Sequence, residues 1–459
     1  MKITNTQHYK KLSKELMKEI AKTLRNALTL RIAVLLLAIH ACAFGLTCAT
    51  CQAQKYVEYT VKKKDTIFGI ARDHGITLQQ LINMNPQMNQ PGYQLKKGDV
   101  VRIPVGDKTI HLGVMLPLHN DNGDGRRMVE YYRGVLMACD SMKKEGISVD
   151  VHAWNLPEKG KAEHVLNDPE AKQMDIIIGP LYSRFMEPMG NFAKKNDIML
   201  VVPFSINAPQ IGSNKHIFQV YQAPQTIDEA TARRTAEWFR DYHPIIVDCH
   251  DSTSTKGAFT TALRQHLEKH DILYNVTSLS TAEDNFAKAF VANAPNLVVL
   301  NTARSKELLT TFAKLKRLSA RRPNLEIAML GYTEWMMYTD KQEDNFHRFN
   351  VYVPSYFYTN TKKAATRRLE KKYEATFGLK MQQDALPRFA ITGFDHAVFF
   401  LRGLHKYGKT FDGAAARFGY QPVQTPLRFE QVKAGGGYQN HAYMFVHYKT
   451  DGNIETINY

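Results

Sequence analysis

Residues 120–125 (NDNGDG) have the side-chain types of a calcium-binding loop. A helix-loop-helix calcium site read from Asn120 needs an acidic first ligand and a Glu at its twelfth position, where this chain has Tyr131. Small polar residues and glycines between two apolar patterns are typical of a surface loop. We therefore interpret this segment as a flexible loop after the first strand of its domain.

Two other groups have atoms that bind metal ions or phosphates in other proteins. His243, His250 and Asp251 are metal-ligating types, but a strand pattern separates them and an H-E-x-x-H spacing is absent. Residues 435–437 (GGG) follow a strand pattern and precede no helix, which predicts a hairpin turn and not a phosphate cradle. No nucleophile, base and orienting acid form a known catalytic motif. The sequence predicts no enzyme activity, no cofactor and no metal.

The length and composition describe a globular protein of two or three domains. The chain has 459 residues, 44% hydrophobic and 23% charged, and a single core stops growing at about 250–300 residues. The net charge of +16 is typical of nucleic-acid or anionic-surface binding. It divides into +6 for residues 1–53, +4 for residues 54–108 and +6 for the rest. Because the positive charge is spread over three parts of the chain, with only +6 on the largest part, it does not predict a nucleic-acid partner.

An apolar segment near the N-terminus predicts export. Residues 32–46 carry no charge and follow seven Lys or Arg between positions 10 and 31. At about 1.5 Å per residue, the segment is shorter than the roughly 30 Å hydrocarbon core of a bilayer. We therefore predict a signal peptide over residues 1–53, cleaved after Ala53, with translation from Met17 and a permanent membrane span as alternatives.

The five cysteines bear on anchoring and on disulfide bonding. Three of them (Cys42, Cys48 and Cys51) precede the predicted cleavage site, so a lipid anchor is an alternative, but the residues before them fit a lipidation motif poorly. Cys139 lies in a helical pattern and Cys249 at the end of a strand pattern. We predict two buried thiols there and no disulfide.

Residues 56–104 have the pattern of a small strand, helix, helix, strand module. Capping oxygens precede each helix, and a glycine ends the first one. The residues that carry this pattern are Tyr59–Val61 for the first strand, Asp65, Thr66 and Gly75 around the first helix, Thr77 and Gln80 at the start of the second, Asn85 and Pro86 at its end, and Val100–Ile103 for the closing strand.

The module resembles the LysM family of glycan-binding domains. The matching segments cover the whole module in register: YTV (59–61), DTIF (65–68), IA (70–71), GIT (75–77), Leu81, NMNP (83–86), LKKG (95–98) and VRIP (101–104). Lys64 departs from the family, which usually has Gly there.

The LysM resemblance implies binding of a glycan that contains N-acetylglucosamine, which is peptidoglycan in a bacterium. The implied groove is formed by Asp65, Thr66, Ile67, Asn85 and Pro86. The alternative is that Asp65, Thr66 and Asn85 serve only as helix-cap and turn residues. A residue can also cap a helix and contact the glycan at the same time.

After a linker at residues 105–108, strand and helix patterns alternate from residue 109 to residue 459. Such an alternation predicts an α/β fold with parallel sheets flanked by helices, and its length predicts two lobes. The predicted strands are 110–118, 149–153, 175–178, 198–202, 245–247, 297–300, 327–330 and 351–353, and the predicted helices are 126–144, 187–195, 226–240, 257–269 and 306–318.

This region resembles the type I periplasmic binding proteins, which include branched-chain amino-acid receptors of ABC transporters. The segments that carry the resemblance are GVMLPL (113–118), IIGPLYS (177–183), VVPFS (201–205), FQV (218–220), where the chain should first cross between lobes, GFDHA (393–397), GY (419–420), TPLRF (425–429) and GGGY (435–438). The segment 425–429 is also similar to the outer-membrane activators of peptidoglycan synthases.

The resemblance implies a ligand between the lobes, at the carboxyl ends of the strands. Ser183 and Ser205 match the positions of ligand-contacting loops, and Glu334 is the candidate for meeting a ligand ammonium group. Phe204 and Ile206 depart from the small residues that the receptors have in the second loop. Ser183 as a plain helix cap and Glu334 as a solvated charge are the alternatives.

Three functions follow as hypotheses. The first is a non-catalytic protein of the periplasm or cell envelope that binds peptidoglycan through LysM and a small polar ligand, such as an amino acid or a wall fragment, in the cleft. The second keeps the fold without a ligand, as a scaffold or regulator of the peptidoglycan synthesis machinery with an envelope protein as its partner. The third is a wall hydrolase.

Overall fold

The structure, a computed structural model, describes residues 56–458 except 75, 77, 105–108, 384 and 415–416. The predicted signal peptide (1–53), the linker (105–108), and the helix end and cap at Gly75 and Thr77 lie outside the described residues. The boundaries between domains stay a prediction.

The N-terminal module has the predicted order of elements. It contains β1 (Tyr56–Thr60), α1 (Ile67–Asp73), α2 (Leu78–Met84), a 3₁₀ turn (Pro86–Asn89) and β2 (Val100–Pro104). β1 and β2 form a two-stranded sheet. The apolar side chains at the periodic positions of the sequence are buried, among them Ile70, Leu81 and Val101.

The larger region contains the remaining elements. Its strands are β3 (Ile110–Leu116), β4 (Val149–Asn155), β5 (Ile176–Ile178), β6 (Met199–Val202), β7 (Ile217–Gln219), β8 (His243–Asp248), β9 (Asn275–Ser278), β10 (Asn296–Leu300), β11 (Ile327–Leu330), β12 (Val351–Ser355), β13 (Phe429–Gln431), β14 (Tyr438–Asn440), β15 (Met444–Tyr448) and β16 (Ile454–Asn458). Its helices are α3 (Gly123–Lys144), α4 (Glu163–Leu166), α5 (Met186–Asn196), α6 (Pro224–Trp238), α7 (Gly257–Lys269), α8 (Glu283–Ala287), α9 (Ser305–Arg321), α10 (Thr339–Arg348), α11 (Ala364–Phe377) and α12 (Phe389–Tyr407).

These strands form two seven-stranded sheets, one in each lobe. The order in the first lobe is β13-β14-β7-β6-β5-β3-β4, and the order in the second is β16-β15-β12-β11-β10-β8-β9. Pairing is parallel except where β13 joins β14 and where β15 joins β12 and β16. The predicted two-lobed fold with parallel sheets is therefore confirmed, and antiparallel strands extend each sheet at one end. The Gly435–Gly437 segment lies between the antiparallel strands β13 and β14, as a hairpin turn should.

The central strands of the first lobe are buried on both faces, which explains their continuous apolar runs. Leu112, Val114 and Leu116 of β3 belong to the core that α3 and α12 cover. Met115 of the same strand belongs to the core on the other face, with residues of α5. Alternate residues of one strand thus supply two separate cores.

Within the described residues, the chain passes between the lobes three times, after β7, after β12 and after β14. The prediction that residues 218–220 lead into the first crossing is confirmed, because β7 lies in the first lobe and the next helix, α6, packs in the core of the second.

Helices α3 and α12 approach each other closely because glycines lie at their crossing. A Cβ atom on Gly393 would lie 2.0 Å from the carbonyl oxygen of Tyr131, and one on Gly134 would lie 1.9 Å from the carbonyl oxygen of Ala390. Neither backbone can yield without moving its helix. The crossing therefore tolerates no side chain at either position.

A buried carboxylate holds the loop that follows α12. Asp395 accepts hydrogen bonds from the N–H groups of Val423 at 2.9 Å, Gln424 at 2.8 Å and Thr425 at 2.8 Å. Burial raises the pKa of Asp395 to about 7, although the three donors oppose that shift. One side chain of α12 thus fixes three consecutive residues that border the lobe junction.

We expect Gly393→Ala to lower the free energy of unfolding by about 3 kcal/mol, since the added methyl group forces the two helices apart. Chemical denaturation followed by circular dichroism measures the change. Gly257→Ala is the matched control, because a Cβ there meets no atom within 4 Å. Equal effects of the two substitutions would contradict the close crossing.

We expect Asp395→Asn to lower the free energy of unfolding by about 1–3 kcal/mol, because the amide nitrogen cannot accept from a buried N–H. Chemical denaturation measures this change.

The pKa of Asp395 is higher in the folded chain than the value of about 3.9 in the unfolded chain, so the folded state binds a proton more tightly. The corresponding stability is present in full below about pH 4 and is lost as pH rises towards about 7. Denaturation at several pH values should show this decline in the wild type and not in the variant. An identical pH profile for both proteins would contradict it.

Candidate functional site

The residues predicted to bind glycan lie before α1 and after α2. The Asp65 carboxylate accepts from the backbone N–H of Lys62 at 2.7 Å, and the Thr66 hydroxyl accepts from the N–H of Gly69 at 2.9 Å. Asn85 is buried, and its amide donates to the carbonyl of Leu81 at 2.9 Å. These three side chains hold the local backbone as helix-cap and turn residues do, which was the alternative interpretation from the sequence.

The same segments also expose apolar side chains. Ile67 is half-buried, Pro86 is exposed, and Phe68, the neighbour of Ile67, is 67% exposed. Lys64, at the position where LysM domains usually have Gly, adopts a φ of +79°. That left-handed conformation favours glycine and explains the preference of the family.

The three residues predicted to bind a ligand in the larger region lie in separate loops. Ser183 is exposed and begins a short 3₁₀ turn before α5. The hydroxyl of Ser205 donates to the carbonyl of Asn207 at 3.2 Å and accepts from its N–H at 3.1 Å, so it closes a local turn. Glu334 follows β11, in the second lobe.

Glu334 forms an ion pair with a lysine of its own lobe. The Nζ atom of Lys256 lies 2.9 Å from the Glu334 carboxylate and 4.9 Å from the centre of the Tyr332 ring. Burial raises the pKa of Asp228, the charge of Lys256 lowers it, and that of Glu334 raises it. The ammonium group that lies against Glu334 and the Tyr332 ring therefore belongs to the protein itself.

Phe204, the departure noted in the second loop, lies in a cluster of rings at the lobe junction. Its ring centre is 5.4 Å from that of Tyr131, 5.6 Å from that of Phe389 and 6.4 Å from that of His396. Tyr131 belongs to α3, while Phe389 and His396 belong to α12. The loop after β6 thus packs on the same pair of helices that cross at Gly134 and Gly393.

His396 is a buried histidine that lines a small cavity at the junction; a larger cavity of about 420 Å³ lies between Asp340 of the second lobe and Arg388, which precedes α12. The Nδ1 atom of His396 is 2.9 Å from the Tyr131 hydroxyl, and burial lowers its pKa to about 3, so the ring is neutral at neutral pH. Among the described residues, its Nε2 atom has no hydrogen-bond partner. It lines a cavity of about 20 Å³, together with Phe204, Tyr221, Tyr356, Thr425 and Asn440. That volume holds about one water molecule.

Tyr221 and Tyr356 contact each other at this junction, and each lies where the chain crosses between the lobes. Tyr221 follows β7 and Tyr356 follows β12. Their ring centres are 4.8 Å apart, and the Tyr221 hydroxyl donates to that of Tyr356. Burial raises the pKa of both groups, so each keeps its proton.

None of Ser183, Ser205 and Glu334 lines the junction cavity. Apart from Phe204, the residues that fill the junction were not assigned a role from the sequence, although His396 lies within the segment 393–397 and Tyr221 directly follows the predicted first crossing. Lys256 directly precedes α7. No local sequence pattern indicates that it pairs with Glu334, which lies in a distant loop.

The metal interpretations that the sequence analysis set aside gain no support. Asn122 caps α3 by accepting from the N–H of Gly125 at 2.8 Å. Asp251 accepts from the Thr302 hydroxyl at 2.8 Å and pairs with Arg304. The part of the chain that the structure describes holds no cluster of three metal-ligating side chains, and none of its helices is both long and apolar enough to span a bilayer.

Comparisons with known proteins identify both parts of the chain. The LysM domain model matches residues 59–104. Among solved structures, a putative branched-chain amino acid ABC transporter protein from Rhodospirillum rubrum is 16% identical, with a TM-score of 0.52 over 76% of this chain and 100% of the other. No curated protein matches in sequence.

Two other solved structures have lower TM-scores. An ABC transporter substrate-binding protein from Desulfitobacterium hafniense, in complex with Leu, is 13% identical, with a TM-score of 0.40 over 76% of this chain and 100% of the other. LpoA from Haemophilus influenzae is 14% identical, with a TM-score of 0.48 over 76% of this chain and 59% of the other. The family-model match and the Rhodospirillum rubrum structure together show that the chain combines a LysM domain at residues 59–104 with a larger region that has the fold of the type I periplasmic binding proteins.

Proposed function

We propose that this protein is a non-catalytic component of the cell envelope that binds peptidoglycan through its LysM domain and uses its two-lobed region as a scaffold for another envelope protein. The observation that carries this proposal is the ring cluster around Phe204, which occupies the lobe junction. A regulator of peptidoglycan synthesis fits the same description, because a wall-bound scaffold holds its partner beside the polymer.

The chemistry of the junction supports a scaffold over a receptor for a small zwitterion. Burying a charged ammonium or carboxylate against Phe204, Tyr131 and Phe389 is unfavourable without polar partners. The cavity of about 20 Å³ has no room for an amino acid. Glu334, the candidate partner of a ligand ammonium, is already paired with Lys256.

A second candidate function is the binding of a small polar ligand, such as an amino acid or a wall fragment, between the lobes. Ser183 favours it, because its exposed side chain begins the turn before α5, where free backbone N–H groups suit a carboxylate. This function requires the lobes to open, which separates Tyr221 of the first crossing from Tyr356 of the second.

The peptidoglycan proposal assigns the exposed apolar side chains of the LysM domain to the glycan. We expect Phe68→Ser to weaken co-sedimentation of the protein with purified sacculi by about tenfold, since it removes an apolar contact beside the groove. Val100→Ser is the control, because Val100 is 54% exposed in β2, outside the proposed groove. Equal binding by both variants would contradict a glycan site at residues 65–68.

If the ring cluster is structural, we expect Phe204→Ala to lower the free energy of unfolding by about 2–4 kcal/mol. Ile206→Ala should change it by less than about 0.5 kcal/mol, because Ile206 is 54% exposed. Thermal-shift measurements of the wild type with amino acids and soluble muropeptides should show no stabilisation. A rise in the melting temperature with one of them would instead support the second candidate function.

A further inference from the structure

Two short segments make the larger region basic. Residues 109–459 hold 43 Lys or Arg and 37 Asp or Glu, a net charge of +6. Residues 304–322 hold seven Lys or Arg and one Glu, a net charge of +6, and three of these cations, Arg304, Arg317 and Arg321, pair with carboxylates. Residues 360–380 hold seven Lys or Arg and two Glu, a net charge of +5.

Residues 360–380 include helix α11, which is fixed to the first lobe along one face. Leu369 and Tyr373 are buried, and the Tyr373 hydroxyl donates to the carboxylate of Glu130 on α3. The Nζ atom of Lys372 lies 2.6 Å from the carboxylate of Asp140, which is also on α3. These contacts set which side of α11 faces solvent.

The solvent face of α11 carries a row of cations. Lys363, Arg367 and Lys371 recur at intervals of four residues and are all exposed, with Arg368 beside them. Residues at this spacing are neighbours on a helix surface, about 6 Å apart along the axis, and like charges there repel. Among the described residues, Lys363, Arg368 and Lys371 form no ion pair. Arg367 donates hydrogen bonds to the carbonyls of Thr361 and Lys362, and the exposed Glu374 lies three residues after Lys371.

The same face lacks the side chains on which protein interfaces depend. Ala364, Ala365 and Ala375 are its exposed apolar residues, and it has no exposed aromatic ring. Protein interfaces take most of their binding energy from a few buried anchors, often aromatic, and helices that insert into a bilayer surface bury an apolar face. A row of cations with no such anchor suits a hydrated polymer that carries regular negative charges.

We propose that the solvent face of α11 binds the stem-peptide carboxylates of peptidoglycan, as a second contact with the polymer that the LysM domain binds. This inference rests on the proposed function, because the LysM domain brings the chain to that polymer. The second contact is then intramolecular, and its effective concentration increases the total affinity. Because the contact is electrostatic, salt weakens it.

Co-sedimentation with purified sacculi tests the proposal. The variant K363Q/R368Q/K371Q removes three unpaired charges of the row, and K159Q/K172Q/K195Q removes three exposed lysines outside both basic segments. At about 50 mM salt we expect the first variant to bind about tenfold more weakly than the wild type and the second to bind equally well. The difference should shrink towards about 300 mM salt, because screening removes the contact in the wild type as well. Circular dichroism confirms that both variants fold.

Sacculi whose carboxylates have been amidated with a carbodiimide and ethanolamine identify the ligand. They should bind the wild type and the α11 variant equally.

Equal binding of the two triple variants to native sacculi at every salt concentration would overturn the α11 contact and leave the LysM proposal intact. No binding of the wild type to sacculi would refute the proposed function itself. Tighter charge-dependent binding to phosphatidylglycerol vesicles than to sacculi would overturn the peptidoglycan assignment in favour of a lipid surface.

Discussion

The close crossing of α3 and α12 determines what the interior of the lobe junction contains. Because Gly134 and Gly393 have no side chains, the two backbones touch, and Tyr131 and His396 come within hydrogen-bonding distance beside the crossing. The ring of Phe204 packs on both of them. Asp395, the neighbour of His396, fixes the loop at residues 423–425 that completes the wall. One backbone contact thus places a ring cluster, a buried carboxylate and a cavity for about one water molecule.

The architecture and the interior of the larger region point to different functions. Its two sheets and three crossings are those of the type I periplasmic binding proteins, in which the space between the lobes holds a ligand. Here aromatic rings line the lobe junction, and Glu334, the predicted partner of a ligand ammonium group, pairs with Lys256. One fold carries many functions, so the function has to be argued from the residues at the site.

Much of the fold was predictable because burial on both faces gives central strands an unbroken apolar run, as in β3, β5 and β6. The LysM pattern was readable for a similar reason, since caps and turns recur at fixed spacings. Helix α11 was not predicted, because only Thr366, Leu369 and Tyr373 face the interior among many charged residues. The short strands β13–β16 gave little periodicity. The Lys256–Glu334 and Tyr221–Tyr356 pairs join distant parts of the chain, and no local pattern records such contacts.

The hydrogen bond between Tyr221 and Tyr356 has a consequence for motion. The two residues lie on different crossings, so a rotation of one lobe against the other separates their hydroxyls and breaks a bond between half-buried groups. This hydrogen bond favours the observed angle between the lobes by about 1 kcal/mol, the net value of a typical hydrogen bond. Each contact that favours one angle reduces the conformational entropy that the two lobes would lose on docking to another molecule.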